Sequence, residues 1–384
     1  MLRNKDKGIT LIALVITIII LLILAGISIS VLTNQGLFKN AKAAQNATEK
    51  AEEEQGQRLN EYEDEINKYL NNANEDEKIG LITDNINKEL SKTDNTKLKD
   101  EKGNRIVVPA GFKIVDGATT VDKGIVIEDV TETATKGSQF VWVPVGTITK
   151  ADGTTTTITL GRYDFNSTTG VESAYTGTYV EEDSNDSSTL KKYGNTIAKN
   201  ITNFKNSVAQ NGGYYIGRYE ARTATARSAK TDALTQITEK GTENVYNYVT
   251  QLQAAQLSQN MYTSNKFTSD LMNSYAWDTA TVFIQNCGTN AKYSRQNSLN
   301  TSLLQTGTNS LTDTSKIDVQ CNIYDMASNI VEWTTETSSN SSLPCVNRGG
   351  SYHSRDNYTS LRGGVNISGN NFVIGFRPLL YVNV

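Results

Sequence analysis

The chain has 384 residues, a formal net charge of -4 and 20% charged residues, so it offers no broad basic field, and no nucleic acid partner is expected. Its single histidine, His353, leaves few hydrolase designs, because a Ser-His-Asp or Cys-His site needs an imidazole held by an orienting group and set against a nucleophile, and it excludes multi-histidine zinc sites. The three cysteines, Cys287, Cys321 and Cys345, permit one disulfide, and Cys321 with Cys345 is the preferred pair because they flank one motif-bearing segment.

In chain order, a basic leader, Met1 to Gly8, carries Arg3, Lys5 and Lys7 and runs into a charge-free apolar stretch from Ile9 to about Leu32. At about 1.5 Å per residue, a helix of that length covers the roughly 30 Å hydrocarbon core of a bilayer. The stretch predicts a membrane contact through residues 9–32 and a single-pass protein of the cell membrane with its C-terminal domain outside the cell. From Ala41 to about Asn71 there is no proline, and Leu59, Tyr62, Ile66, Tyr69 and Leu70 recur at helical spacing, which predicts an amphipathic stalk. Residues 72–103 read as a weakly structured linker with one short helix around Asp84 to Leu90.

Beyond the linker, short β-rich runs end in Gly, Pro or polar turns. Arg105 to Pro109, Phe140 to Pro144 and Tyr214 to Glu220 are the clearest strands. Tyr248 to Met261 and Thr268 to Ile284 have helical periodicity, and Thr-, Ser- and Asn-rich segments at 147–210 and 286–320 read as surface insertions. The run Thr154 to Thr157 after Asp152-Gly153 predicts a hairpin tip. Strands flanking two helices predict an α+β domain.

Two resemblances extend this reading. Lys7-Gly8-Ile9-Thr10-Leu11-Ile12 resembles the leader junction of type IV prepilins, which implies cleavage between Gly8 and Ile9 and the apolar helix as the new N-terminus. Ala13 stands where such proteins usually have Glu. The alternative is an ordinary signal anchor whose basic residues obey the positive-inside rule.

Near the C-terminus, Asn322 to Thr334 (Asn-Ile-Tyr-Asp-Met-Ala-Ser-Asn-Ile-Val-Glu-Trp-Thr), Arg348-Gly349-Gly350-Ser351-Tyr352 and Ile374-Gly375-Phe376-Arg377 resemble the signature series of the formylglycine-generating-enzyme (sulfatase-modifying factor) family. The resemblance implies a C-type lectin-like fold. The expected organisation is a leader at 1–8, a transmembrane and stalk helix at 9–71, a linker at 72–103 and the lectin-like domain at 104–384. Glu332, between Val331 and Trp333, must be paired, with an Arg or with a cation. The family binds calcium at this motif, which implies a structural calcium ion at Asn329 and Glu332. The family's catalytic cysteine pair has no counterpart between Ser351 and Gly375, and one histidine cannot build an iron site. No copper or iron is expected, and the chain is expected not to be an enzyme.

The former catalytic loop holds Tyr352, His353, Ser354, Arg355, Asp356, Asn357 and Tyr358, with Asn366, Ser368, Asn370 and Asn371 beyond it. Tyr gives contact area at low entropic cost, and Ser and Asn adapt hydrogen bonds, as in antibody loops. The set also resembles the variable proteins of diversity-generating retroelements. These residues predict a surface-displayed adhesion protein that binds an unknown extracellular protein or glycan. The alternatives are a minor pilin or pseudopilin that contacts pilus subunits, and a divergent thiol-dependent oxidase using two of the cysteines.

Overall fold

The computed structural model describes residues 13–22, 45–48, 50–51, 55, 79–115, 117–181, 201–305, 317–354 and 356–384. The chain divides into two compact units, Met1–Lys78 and Ile79–Val384. In the first unit, 13–22 is helical, and its apolar side chains, such as Leu21 and Leu22, are exposed. Among the described residues no helix is long and apolar enough to cross a membrane. This corrects the expected transmembrane, pilin-like helix and the single-pass placement in the cell membrane. The expected cleavage site, Gly8 and Ile9, lies outside the described residues, as does most of the expected stalk.

The second unit is mostly β-sheet, which corrects the α+β expectation. Its larger sheet uses β1 (Phe112–Ile114), β2 (Val126–Asp129), β3 (Gln139–Pro144), β4 (Gly213–Gly217), β5 (Phe267–Leu271) and a late strand, Pro378–Val382. The late strand pairs with β5 on one side and β4 on the other, and β4, β3, β2 and β1 follow, every pair antiparallel. In β3, Phe140, Val141, Trp142 and Val143 are all buried, because both faces of this central strand are covered and an unbroken apolar run fits there. The sheet is rolled. Six flat strands would hold the outer two about 24 Å apart, yet Phe112 on one edge and Phe267 on the other meet edge to face with ring centroids at 5.6 Å.

Three α-helices are described in this unit: α1 (Ile201–Asn211), α2 (Gln251–Gln259) and α3 (Ser274–Cys287). Phe204 of α1 packs on Tyr214 of β4 and on Tyr381 of the late strand. Helix α2 begins in a full capping box, Thr250 with Gln253, which satisfies two otherwise orphan amides. The expected helix over Thr268 to Ile284 is in fact a strand followed by a helix: β5 ends at Leu271, and the Asn273 side chain caps α3 by accepting from the Ala276 amide.

The smaller sheet contains β6 (Val331–Thr337), β7 (Cys345–Arg348), β8 (Arg362–Val365) and β9 (Ile374–Phe376), in the order β8-β7-β6-β9, with β6 and β9 parallel. The late strand of the larger sheet, Pro378–Val382, is β10. All seven residues of β6 are buried although five are Thr or Glu, so its polar groups need partners inside the protein. The expected linker is also folded where it is described. Thr96–Lys99 pairs with Arg105–Val108, and the helix expected at Asp84 to Leu90 is one 3-10 turn, Thr83–Asn85. The hairpin Gly146–Thr149 with Thr155–Ile158 turns at Asp152-Gly153, so most of the run Thr154 to Thr157, expected as the tip, is instead the hairpin's second strand.

Candidate functional site

The site is built upward from a buried ion cluster. Arg348, at the end of β7, is fully buried and donates to Asp278 of α3 at 2.5 Å and to Glu336 of β6 at 3.3 Å. Arg362 of β8 bridges the same two carboxylates, at 2.5 and 2.7 Å, and Arg162 reaches Glu336 at 2.5 Å. Burial alone would raise the Glu336 pKa, but the guanidiniums of Arg348, Arg362 and Arg162 outweigh it and leave the pKa lowered. The Tyr175 ring lies 4.4 Å from the Arg162 guanidinium and 4.1 Å from that of Arg362, so a π face meets the excess positive charge.

The chain leaves this cluster through two glycines. Gly349 has φ +82, and a Cβ there would lie 2.7 Å from the Met326 carbonyl oxygen. A Cβ on Gly350 would lie 2.4 Å from the Ala327 carbonyl oxygen. Close backbone approach therefore demands both glycines. The loop that follows is pinned from below: the Tyr352 amide donates to the Asn329 carbonyl at 2.9 Å, and the Ser354 amide donates to Ser351 Oγ at 3.0 Å.

Above the pins, side chains face outward. His353 and Tyr352 meet Phe372 at centroid distances of 5.6 and 6.4 Å, and Phe372 is 40% exposed. Phe372 is held by its backbone, since its carbonyl accepts from Asn247 Nδ2 at 3.1 Å. The Asn371 carbonyl accepts from the Tyr248 amide at 3.0 Å, and Tyr248 has φ +52. Burial and the nearby Tyr248 phenol raise the Tyr352 pKa. Ser354 and Asp356 are exposed and Asn357 is half-buried in the same loop, while Arg355 lies outside the described residues. Tyr358 takes a different partner, the Arg295 guanidinium at 3.5 Å. Asn366 accepts from the Ser368 amide and hydroxyl, which shapes the turn into Asn370, Asn371 and Phe372.

Sequence reasoning missed Phe372, Tyr248 and Arg295. Phe372 had a signal, one apolar ring between Asn371 and Val373 in an Asn-rich loop, but the contacts of Tyr248 and Arg295 arise only from folding.

The residues do not fit the implied calcium ion. Glu332 gives Oε1 to Arg377 Nη2 at 2.6 Å and Oε2 to Arg377 Nε at 3.1 Å. Burial opposes charge on Arg377, but the Glu332 carboxylate outweighs it and raises the guanidinium pKa. Arg377 also donates to the carbonyls of Gly217 and Tyr324, so the salt-bridge alternative is the one seen. Asn329 Oδ1 accepts from Asn300 Nδ2 at 3.1 Å and from the Leu304 amide at 2.9 Å, while its Nδ2 donates to Glu220. Asn329 thus works as a positioning residue under Tyr352. Among the described residues no group of three or more His, Cys, Asp or Glu stands ready to hold a metal ion.

All three cysteines are free thiols, so the expected bridge between Cys321 and Cys345 is not formed; Cys345 is buried in β7. Burial pushes the Cys287 thiol up to about 12, and burial together with Cys287 raises that of Cys321 further. A wide cleft of about 980 Å³ opens elsewhere, lined by Phe112, Thr131, Thr133, Tyr262, Lys266 and Phe267. It shares no residue with the Tyr352 face.

No protein-family model matches the chain. No curated protein matches it either. Among solved structures, the chain is similar to Treponema denticola variable protein 1, at 14% identity over 64% of this chain and 97% of that one, with a TM-score of 0.33. It is also similar to CarF, at 22% identity over 30% of this chain and 49% of that one, with a TM-score of 0.23. Likenesses this distant carry no argument about the fold or function of this chain.

Proposed function

We propose that the protein is a recognition protein that works by binding rather than catalysis, and that residues 351–358 and 366–373 form its contact face for a protein or glycan. One observation carries the reading: Tyr352 and His353 gather against Phe372, a ring left 40% exposed on a loop whose backbone is fixed from beneath. Aromatic anchors on a preorganised loop are what binding hot spots use, because little entropy is lost on contact. Polar Ser354, Asp356, Asn366 and Asn371 form the adaptable surround.

Selection of a random peptide display library and a glycan array against the whole protein tests this reading. The expected ligands lose at least about tenfold in affinity on Tyr352→Ala and on Phe372→Ala. Ligands that bind both variants as tightly as the parent would place recognition elsewhere. The resemblance to retroelement variable proteins adds a second proposal, that the loop segment is diversified. A near-copy of the DNA encoding 348–384 beside a reverse transcriptase gene is the expected finding, and its absence removes this part alone.

A further inference from the structure

Two of the free thiols are brought together by the fold. Cys287 ends α3, and Cys321 lies in the tight turn between Val319–Gln320 and Ile323–Tyr324. Gln320 pairs with Ile323, so Cys321 and Asn322 are the two central residues of that hairpin, with φ +48 and +62. Both central residues at positive φ define the primed turn that matches strand twist.

The residues beside each cysteine touch. The Thr289 amide and hydroxyl donate to Gln320 Oε1 at 2.8 and 3.0 Å. A Cβ built on Gly288 would lie 3.5 Å from Gln320 Cβ. Both thiols share Asp122 and Lys123 as charged neighbours, and Cys287 is the more open of the two, so a small reagent meets Cys287 before the more deeply buried Cys321. Cys345, by contrast, is buried in β7.

We propose that Cys287 and Cys321 form a redox-controlled pair, closed to a disulfide by exchange with a small-molecule disulfide. In the first step one cysteine thiolate attacks the reagent, breaks its S–S bond, forms a mixed disulfide and releases one small thiol. In the second, the other cysteine, having lost its proton to solvent, displaces the second small thiol and forms the Cys287–Cys321 bond. Two electrons pass from the cysteine pair to the reagent, and the reverse exchange with excess small thiol reopens it.

The closed loop would span 287 to 321 and so include Arg295, Asn300 and Leu304. Arg295 stacks on Tyr358, and Asn300 and Leu304 hold Asn329, whose carbonyl pins Tyr352. Oxidation therefore fixes the segment that buttresses the recognition loop. The chemistry of the pair does not depend on that loop binding a ligand.

Incubation of the full chain with oxidised glutathione, followed by thiol titration in denaturant and non-reduced peptide mapping, tests the pair. The expected count falls from three thiols to one, with a Cys287–Cys321 peptide and no covalent dimer. Cys345→Ser should fall from two to none, while Cys321→Ser should form no intramolecular bridge. Because both thiols are protonated at neutral pH, the closing rate should rise about tenfold per pH unit between pH 7 and 9. An unchanged thiol count, a bridge that uses Cys345, or crosslinking only between chains would overturn the proposal, and none of these outcomes bears on Tyr352 and Phe372.

Discussion

The two sides of the Arg348-Gly349-Gly350 turn differ in what they do with their side chains. On the inner side Arg348, Arg362, Arg162, Asp278 and Glu336 pair with one another, whereas on the outer side Tyr352, His353 and Phe372 leave their rings toward solvent. Buried ions fix geometry because each tolerates few arrangements, and exposed rings are free to meet something else. Rigidity and availability are thus separated by two residues of chain.

Removing one partner from the inner cluster should cost the most. Arg348→Ala leaves Asp278 and Glu336 buried with a guanidinium missing, and urea unfolding should show a loss of about 3–5 kcal/mol. A loss below about 1 kcal/mol would mean that the cluster does not hold the turn. The turn itself comes next. Gly350→Ala forces a methyl against the Ala327 carbonyl, which is backbone and cannot swing away, so a loss of about 3 kcal/mol is expected together with displacement of the Tyr352 loop. Unchanged stability and unchanged amide shifts across 351–358 would refute the close approach.

A third variant probes the flank of the cluster. Glu181 accepts from the Ser274 amide and the Thr335 hydroxyl, and burial, with Glu336 nearby, raises its carboxyl pKa to about 7. A carboxyl whose folded pKa exceeds its unfolded value stabilises the fold below the unfolded pKa, near 4.5, and that contribution is lost as pH rises through about 7. Glu181 keeps some solvent contact, so the contribution is discounted to about 2 kcal/mol. Stability measured from pH 5 to 8.5 should fall by that amount in the parent and stay flatter in Glu181→Gln. Parallel profiles would contradict it. The smallest effect belongs to the outer side, where Phe372→Ala should change stability by less than about 1 kcal/mol while ligand binding drops. A large loss of stability would make that ring part of the core and would erase the contrast.

The sequence made some of this legible and hid the rest. Phe140 to Pro144 could be read as a buried strand because an apolar run between polar turns has few other uses, and Glu332 declared its need for a partner by sitting between Val331 and Trp333. That partner is Arg377, which also donates to the carbonyls of Gly217 and Tyr324. The helix expected over Thr268 to Ile284 failed at its start because Thr268 to Leu271 fill an edge position beside β10, and tertiary pairing overrode the periodicity. The inner ion cluster was invisible, since Arg162, Asp278, Glu336 and Arg362 come from distant segments with no shared motif. The polar and aromatic composition of 352–358 was legible, but the packing of Tyr352 and His353 on Phe372 was not, because it depends on how Asn247 and Tyr248 hold the neighbouring backbone.

The position of β10 also constrains how the molecule is made. Residues 378–382 fill the slot between β5 and β4, so both neighbours emerge from the ribosome and wait, each with an open edge, until this short segment is synthesised. Such late, long-range closure is slow and leaves sticky strand edges exposed in the interval. A nonsense change just before Pro378 would therefore act chiefly by leaving the facing edges of β5 and β4 unsealed.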